Sequence, residues 1–131
     1  MHNQRSDYFK KRDLLYEHQS GFRGSFSTDT CLIGLSDFVR AEMGKGKLVG
    51  LVMLDLQKAF DTVDHGILLQ KLEAMGVSSI PWFDSYLSGR TQCVEVDGVR
   101  SDFRNVTCGV PQGSILGPLL FLAYINDMHQ H

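Results

Sequence analysis

An apolar run, Leu48-Val49-Gly50-Leu51-Val52-Met53-Leu54, ends abruptly in Asp55. A short, nearly continuous run of this kind predicts a strand buried on both faces. Such a strand needs covering layers on either side, and the flanking sequence offers helices to supply them. A strand of this type ending in aspartate would project its carboxylate at a sheet edge, where ligands collect.

The rest of the chain reads as alternating elements. Residues 1–20 are polar and charged, with Lys10-Lys11-Arg12 as a basic cluster, and suit a short helix or an arm. Ser27-Thr28-Asp29 supplies N-cap chemistry before Cys31, Leu32, Leu35, Val39 and Met43, which recur at helical spacing. Gly44-Lys45-Gly46-Lys47 stops that helix. Asp64 caps a second helix carrying Ile67, Leu68, Leu72 and Met75 and ending at Gly76. Ile80-Pro81-Trp82 opens a third through Leu87, closed by Ser88-Gly89. Segments 91–96 and 99–107 flank Asp97-Gly98, a strong hairpin signal. An apolar helix from about Ser114 to Met128 follows, with Pro118 tolerated only near its first turn. The expected fold class is mixed α+β, a short sheet packed by helices with a hairpin at 91–107.

Chemistry concentrates in three strings. Leu54-Asp55-Leu56-Gln57-Lys58-Ala59-Phe60-Asp61-Thr62-Val63-Asp64-His65 places a bulky aromatic five residues after Asp55. Within it Asp64 is best explained as the N-cap, Asp61 as a partner for a nearby basic group, and His65 as a surface or capping residue. Gly109-Val110-Pro111-Gln112-Gly113-Ser114-Ile115-Leu116-Gly117-Pro118 combines a fixed φ at Pro111 with glycines that permit close backbone approach. It is no Walker A loop, because no Gly-Lys-Ser/Thr follows. Gln19-Ser20-Gly21-Phe22-Arg23-Gly24-Ser25-Phe26-Ser27-Thr28 offers Arg23, whose fixed fork of donors suits phosphates.

Together, in this order, the strings resemble the reverse transcriptases of LINE-type (non-LTR) retrotransposons, from about Gln19 to Met128. The resemblance implies the fingers and palm of a right-hand polymerase, with residues 1–47 fingers-like and 48–131 palm-like. It implies that Asp55 and the Leu56 backbone carbonyl bind Mg²⁺ (or Mn²⁺) as part of a two-metal site. Phe60 would lie under the incoming sugar and exclude a 2′-hydroxyl. Gln112 and Gly113 would line the nucleotide pocket, and Arg23 would approach the template or the triphosphate. Lys58 and Asp61 are lesser candidates at the same place. In the Arg23 string this chain departs from the family, which carries Gly two residues after the arginine; here Gly24 is adjacent and Ser25 follows.

The partners so implied are an RNA template, a DNA primer and dNTPs. The family's Ala-Asp-Asp hairpin is expected soon after Asp127, so the resemblance implies a segment truncated before it and inactive alone. The apolar helix of residues 115–125 would then have one flank open and invite self-association. An alternative is an inactive palm remnant that binds nucleic acid or another protein.

Bulk properties narrow the rest. A net charge of −2, from 13 basic and 15 acidic residues, counts against tight autonomous nucleic-acid binding. Cys31, Cys93 and Cys108 are odd in number and widely spaced, which argues against a zinc ribbon or disulfide framework and suggests buried reduced thiols. The polar N-terminal sequence is no signal peptide, and Leu119 to Ile125 is too short to span a bilayer. The expectation is an intracellular protein, cytoplasmic or nuclear, with no membrane partner.

Overall fold

Local caps define the first helix, α1 (Thr28–Gly44). The Ser27 hydroxyl accepts the Thr30 amide at 3.1 Å, and the Thr30 hydroxyl accepts the Ser27 amide at 2.9 Å. This reciprocal pair is a capping box with threonine in place of the usual Glu or Gln. At the far end the amides of Gly46 and Lys47 donate to Met43 O and Glu42 O, with Gly46 at φ +76°. That is the Schellman pattern, and it explains why the chain stops there. The structure is a computed structural model and describes residues 14–130. Expectations for the N-terminal arm and its basic cluster lie outside those residues.

The same logic builds α2 (His65–Ala74). Asp64 Oδ1 accepts the Ile67 amide at 2.9 Å, as expected of an N-cap. The helix ends where Gly76, at φ +76°, donates to Glu73 O and Val77 donates to Leu72 O. Helix α3 (Ile80–Leu87) starts with Pro81 in its first turn, and α4 (Gly117–Ile125) with Pro118. Helix α4 is shorter than its apolar run suggests. Ser114 Oγ accepts the Gly117 amide at 2.9 Å and donates to Pro111 O at 2.7 Å, which holds residues 111–116 as a turn. A short 3₁₀ turn, Met128–Gln130, follows α4.

Between α3 and α4 lie two short antiparallel ladders. Strands β2 (Glu95–Val96) and β3 (Val99–Arg100) pair around Asp97-Gly98, both at positive φ as the tight hairpin turn requires. Strands β1 (Thr91–Gln92) and β4 (Arg104–Asn105) pair outside them. Residues 93–94 face 101–103, one residue more on the return side, so the ladder is broken in the manner of a bulge. The hairpin at 91–107 is therefore present, but every residue of its four strands is exposed. The helix-packed sheet expected from the sequence is not formed among the described residues.

The chain divides into two compact units, residues 16–57 on one hand and residues 14–15 with 58–130 on the other. In the second unit α2 packs on both α3 and α4. Val63, Leu68, Leu72, Phe83, Leu87, Val110 and α4 residues Leu120 to Ala123 form the core, with Leu15. The Lys71 ammonium ties α2 to the end of α4 through Tyr124 O and the Asp127 carboxylate.

Segment 48–54 is not a buried strand: it has no strand partner among the described residues, and Val52 and Met53 are 83% and 86% exposed. A strand's amides and carbonyls need a neighbour and its apolar faces need cover, and this unit provides neither. The apolar last helix, by contrast, leaves no residue exposed. α2 and the core cover it, which removes the open flank that suggested self-association through it. The cysteines also depart from expectation, since Cys31 and Cys108 are exposed and Cys93 is half-buried.

Candidate functional site

The segment following Lys58 and the segment following Cys108 are stitched together. The Gly109 amide donates to Val63 O at 2.7 Å and the Val110 amide to Phe60 O at 2.8 Å. Asp64 and Cys108 form an isolated antiparallel bridge. His65 Nε2 meets Gly109 O at 2.8 Å; a carbonyl can only accept, so that nitrogen carries the hydrogen. Gly109 has a specific reason to be glycine. It sits at φ +87°, and a Cβ there would lie 2.8 Å from Asp61 O. The close approach this glycine permits is thus to the Asp61 backbone.

Side chains add to the junction. Gln112 Nε2 donates to Asp61 Oδ1 at 2.8 Å. Asp61 therefore finds an amide partner rather than the basic one expected of it. The bond orients Gln112 and leaves its amide carbonyl and second N–H for another group. Phe60 is half-buried, its ring stacked on Phe121 with centroids 4.6 Å apart and planes 27° apart. Lys58 holds a left-handed backbone, φ +52°, and its carbonyl accepts the amides of Asp61 and Thr62. The turn is therefore fixed where the chain enters this unit.

Beside the junction opens a cleft of about 670 Å³. Lys58, Asp61 and Gln112 line it, together with Arg90, which follows α3, and Gln92 and Asn105 of the outer ladder. Its chemistry is that of hydroxyl, amide and cationic groups around a single carboxylate. Gly113, at φ +75° with open space around it, follows directly. Sequence reasoning found Lys58, Asp61 and Gln112 but missed Arg90. No local signal marks it, since its place in the cleft depends on the path of the hairpin that follows.

The remaining expected residues belong to the other unit, residues 16–57. Asp55 is exposed, and Leu56 is exposed beside it. Arg23 Nη1 donates to Tyr16 O and Gln19 O, both at 3.1 Å, and the guanidinium lies 4.8 Å over the Phe26 ring. Part of its donor fork is therefore spent on holding its own loop, where Phe22 and Ser25 take positive φ. Among the described residues no three His, Cys, Asp or Glu side chains cluster as a metal site. No helix among them is long and apolar enough to cross a membrane.

The family model described as reverse transcriptase (RNA-dependent DNA polymerase) matches residues 5–131. The chain is 36% identical over 115 residues to a protein named "Probable RNA-directed DNA polymerase from transposon X-element" of Drosophila melanogaster, covering 87% of this chain and 13% of that protein. It is 35% identical over 111 residues to the RNA-directed DNA polymerase from mobile element jockey of Drosophila funebris, covering 84% and 12%. A Pol polyprotein from the type-1 retrotransposable element R2 of Popillia japonica is 29% identical over 99 residues, covering 74% and 16%. The chain thus spans only a small fraction of the length of these relatives. No solved structure matches it.

Proposed function

The chain belongs to the reverse transcriptase (RNA-dependent DNA polymerase) family, and from that premise we propose that it supplies fingers and palm elements of a right-hand RNA-directed DNA polymerase. In the complete enzyme these elements take part in template-directed addition of dNTPs to a DNA primer on RNA. Residues 1–47 are the fingers-like part and 48–131 the palm-like part. One observation carries the reading furthest. The two most family-specific strings, far apart in sequence, are held together by the Asp61–Gln112 bond and two backbone bonds, beside a cleft rich in phosphate- and base-compatible donors.

The roles follow from chemistry and family resemblance together. Asp55 is the catalytic carboxylate, exposed on a segment that a neighbouring strand of the complete enzyme would pair. Phe60 borders the sugar, and its stack on Phe121 gives the ring the rigidity that excluding a 2′-hydroxyl requires. Gln112 and Gly113 face the nucleotide, with Asp61 orienting the Gln112 amide. Lys58 offers a cation to phosphate, and Arg23 reaches phosphate or template with the part of its fork that its loop does not use.

The metal is a separate matter. Asp55 Oδ and the Leu56 carbonyl are hard oxygen donors of the kind Mg²⁺ or Mn²⁺ takes, and Mg²⁺ is commonly held by one or two carboxylates plus phosphates. A two-ion site needs further carboxylates, and no cluster of the described residues provides them. These residues therefore fit one share of such a site and not the whole of it.

A chimera tests the proposal. The matching segment of the jockey polymerase, 111 residues in the Drosophila funebris protein, is replaced by this chain's. The expected result is primer extension on an RNA template with Mg²⁺ and dNTPs, abolished by Asp55→Asn. A folded chimera that extends equally well with Asp55→Asn would overturn the assignment of Asp55.

A further inference from the structure

Helix α3 carries an aromatic face that none of the roles above uses. Trp82 and Tyr86 are four residues apart, so they share one side of the helix. Their rings stack with centroids 5.5 Å apart and planes only 8° apart. The Arg90 guanidinium lies over the Tyr86 ring, 5.9 Å from its centroid, and Arg90 also lines the cleft. The array therefore runs from an indole that is 44% exposed to the edge of the cleft. It is anchored from beneath, because Trp82 meets the buried Phe83 ring edge-on at 5.1 Å.

Charge and shape say what such an array would take. The Tyr86 ring is already stacked by Trp82 and overlaid by Arg90, so the flat surfaces the array offers a nucleobase are the part-exposed indole and the guanidinium, with Tyr86 as the spacer that aligns them. The cleft it leads into is lined by two cations, Lys58 and Arg90, against one carboxylate, Asp61, already bonded to Gln112. In a chain of net charge −2 this is a local positive excess. Asp84 does not cancel it. It lies two residues from both rings, about 200° around the helix, and accepts from Ser88 Oγ.

We propose that Trp82, Tyr86 and Arg90 form a stacking platform for single-stranded nucleic acid, which leads one end of the strand to the cleft. Affinity there comes from base faces and phosphate charge, so the platform reads strandedness and not sequence. The inference rests on the polymerase reading, since it assigns a path for an unpaired strand beside that site.

Trp82 is the chain's single tryptophan, which makes it its own reporter. The test titrates the purified full chain with a fluorescein-labelled 12-nucleotide oligoadenylate. Anisotropy follows binding, and an unlabelled copy quenches the indole emission by stacking on it. Saturable quenching is expected to parallel the anisotropy, and a pre-annealed RNA–DNA hybrid is expected to quench far less because its bases are already stacked. Trp82→Leu and Arg90→Gln, which keep bulk while removing a ring or a charge, should each weaken binding roughly tenfold, the order of losing one base–aromatic stack. Helical circular dichroism establishes that the variants are folded. Binding without quenching, equal quenching by the hybrid, or no binding by the folded chain would each overturn the platform. None of these outcomes touches the chimera's extension activity, which tests the polymerase reading separately.

Discussion

Residues 58–130 and residues 16–57 fold by different means. The first set buries leucines from three helices against one another; in the second, α1 has well-formed caps at both ends and not one buried residue. Leu32, Ile33, Phe38 and Met43 lie open on that helix, and Leu51 to Leu54 lie open after it. Local hydrogen bonds can set where a helix starts and stops, but isolated helices of this length are marginal in water without tertiary packing. The lesson is that one unit carries its own core, while the other presents apolar surface and an exposed Asp55 to whatever completes it.

The comparison breaks most directly at the core. Leu72 is fully buried on α2, so Leu72→Ala should cost ~2–5 kcal/mol, the transfer and cavity cost of a buried leucine. Leu32→Ala, made at an exposed position of α1, should fall within about 0.5 kcal/mol. Denaturant unfolding of both variants checks this. Equal losses would show that α1 is buried in solution and that the contrast is false.

Gly109→Ala comes next. Both the left-handed φ and the 2.8 Å approach to Asp61 O oppose a methyl group, and the neighbour is backbone that cannot swing away. The expected loss is about 1–3 kcal/mol from backbone strain alone. The Asp61–Gln112 bond should open with it, visible as a shift of the Gln112 side-chain amide resonance. An unchanged resonance would mean the two strings are joined more loosely than their bonds imply.

How much of this was legible in the sequence depends on how local each cause is. Both ends of α1, the Asp64 cap, the Gly76 stop and the Asp97-Gly98 turn are set by residues within a few positions of one another, and all stand where the sequence puts them. The strand at 48–54 depends on a pairing partner, and no periodicity can announce whether one is present. Burial of α4 was misjudged for the same reason, since it depends on α2 and the core folding against it. At the site, the family resemblance singled out Asp61 and Gln112 but not their bond, which spans 51 residues. Arg90 was missed because its place in the cleft is a fact of the hairpin's path.

A milder test probes the cap on which α1 relies. Ser27→Ala removes the acceptor for the Thr30 amide and should cost α1 ~1 kcal/mol, the usual worth of an N-cap side chain. Amide exchange at residues 28–31 should quicken while the amides of α2 keep their protection. Matching acceleration in α2 would mean that the two units unfold as one.

The smallest effect belongs to Glu42, near the other end of α1. The ammonium groups of Lys45 and Lys47, at 2.6 and 2.5 Å, hold its carboxyl below the ordinary glutamate range, with a slight opposing push from burial. Because the folded group is the stronger acid, folding favours the ionised form. Its contribution is therefore present above the unfolded-state pKa and fades as pH falls through the lower folded value. Both lysines are exposed and Glu42 is half-buried between water and the helix end, and surface pairs of this kind are weak and screened by salt. Acidification should thus fray the last turn of α1 while leaving α2 intact, and Glu42→Gln should remove that pH dependence. Exchange rates of the Lys45 to Lys47 amides, followed with falling pH at low and high salt, measure it. A pH response that survives Glu42→Gln would place the titrating group elsewhere and free the α1 terminus from its two lysines.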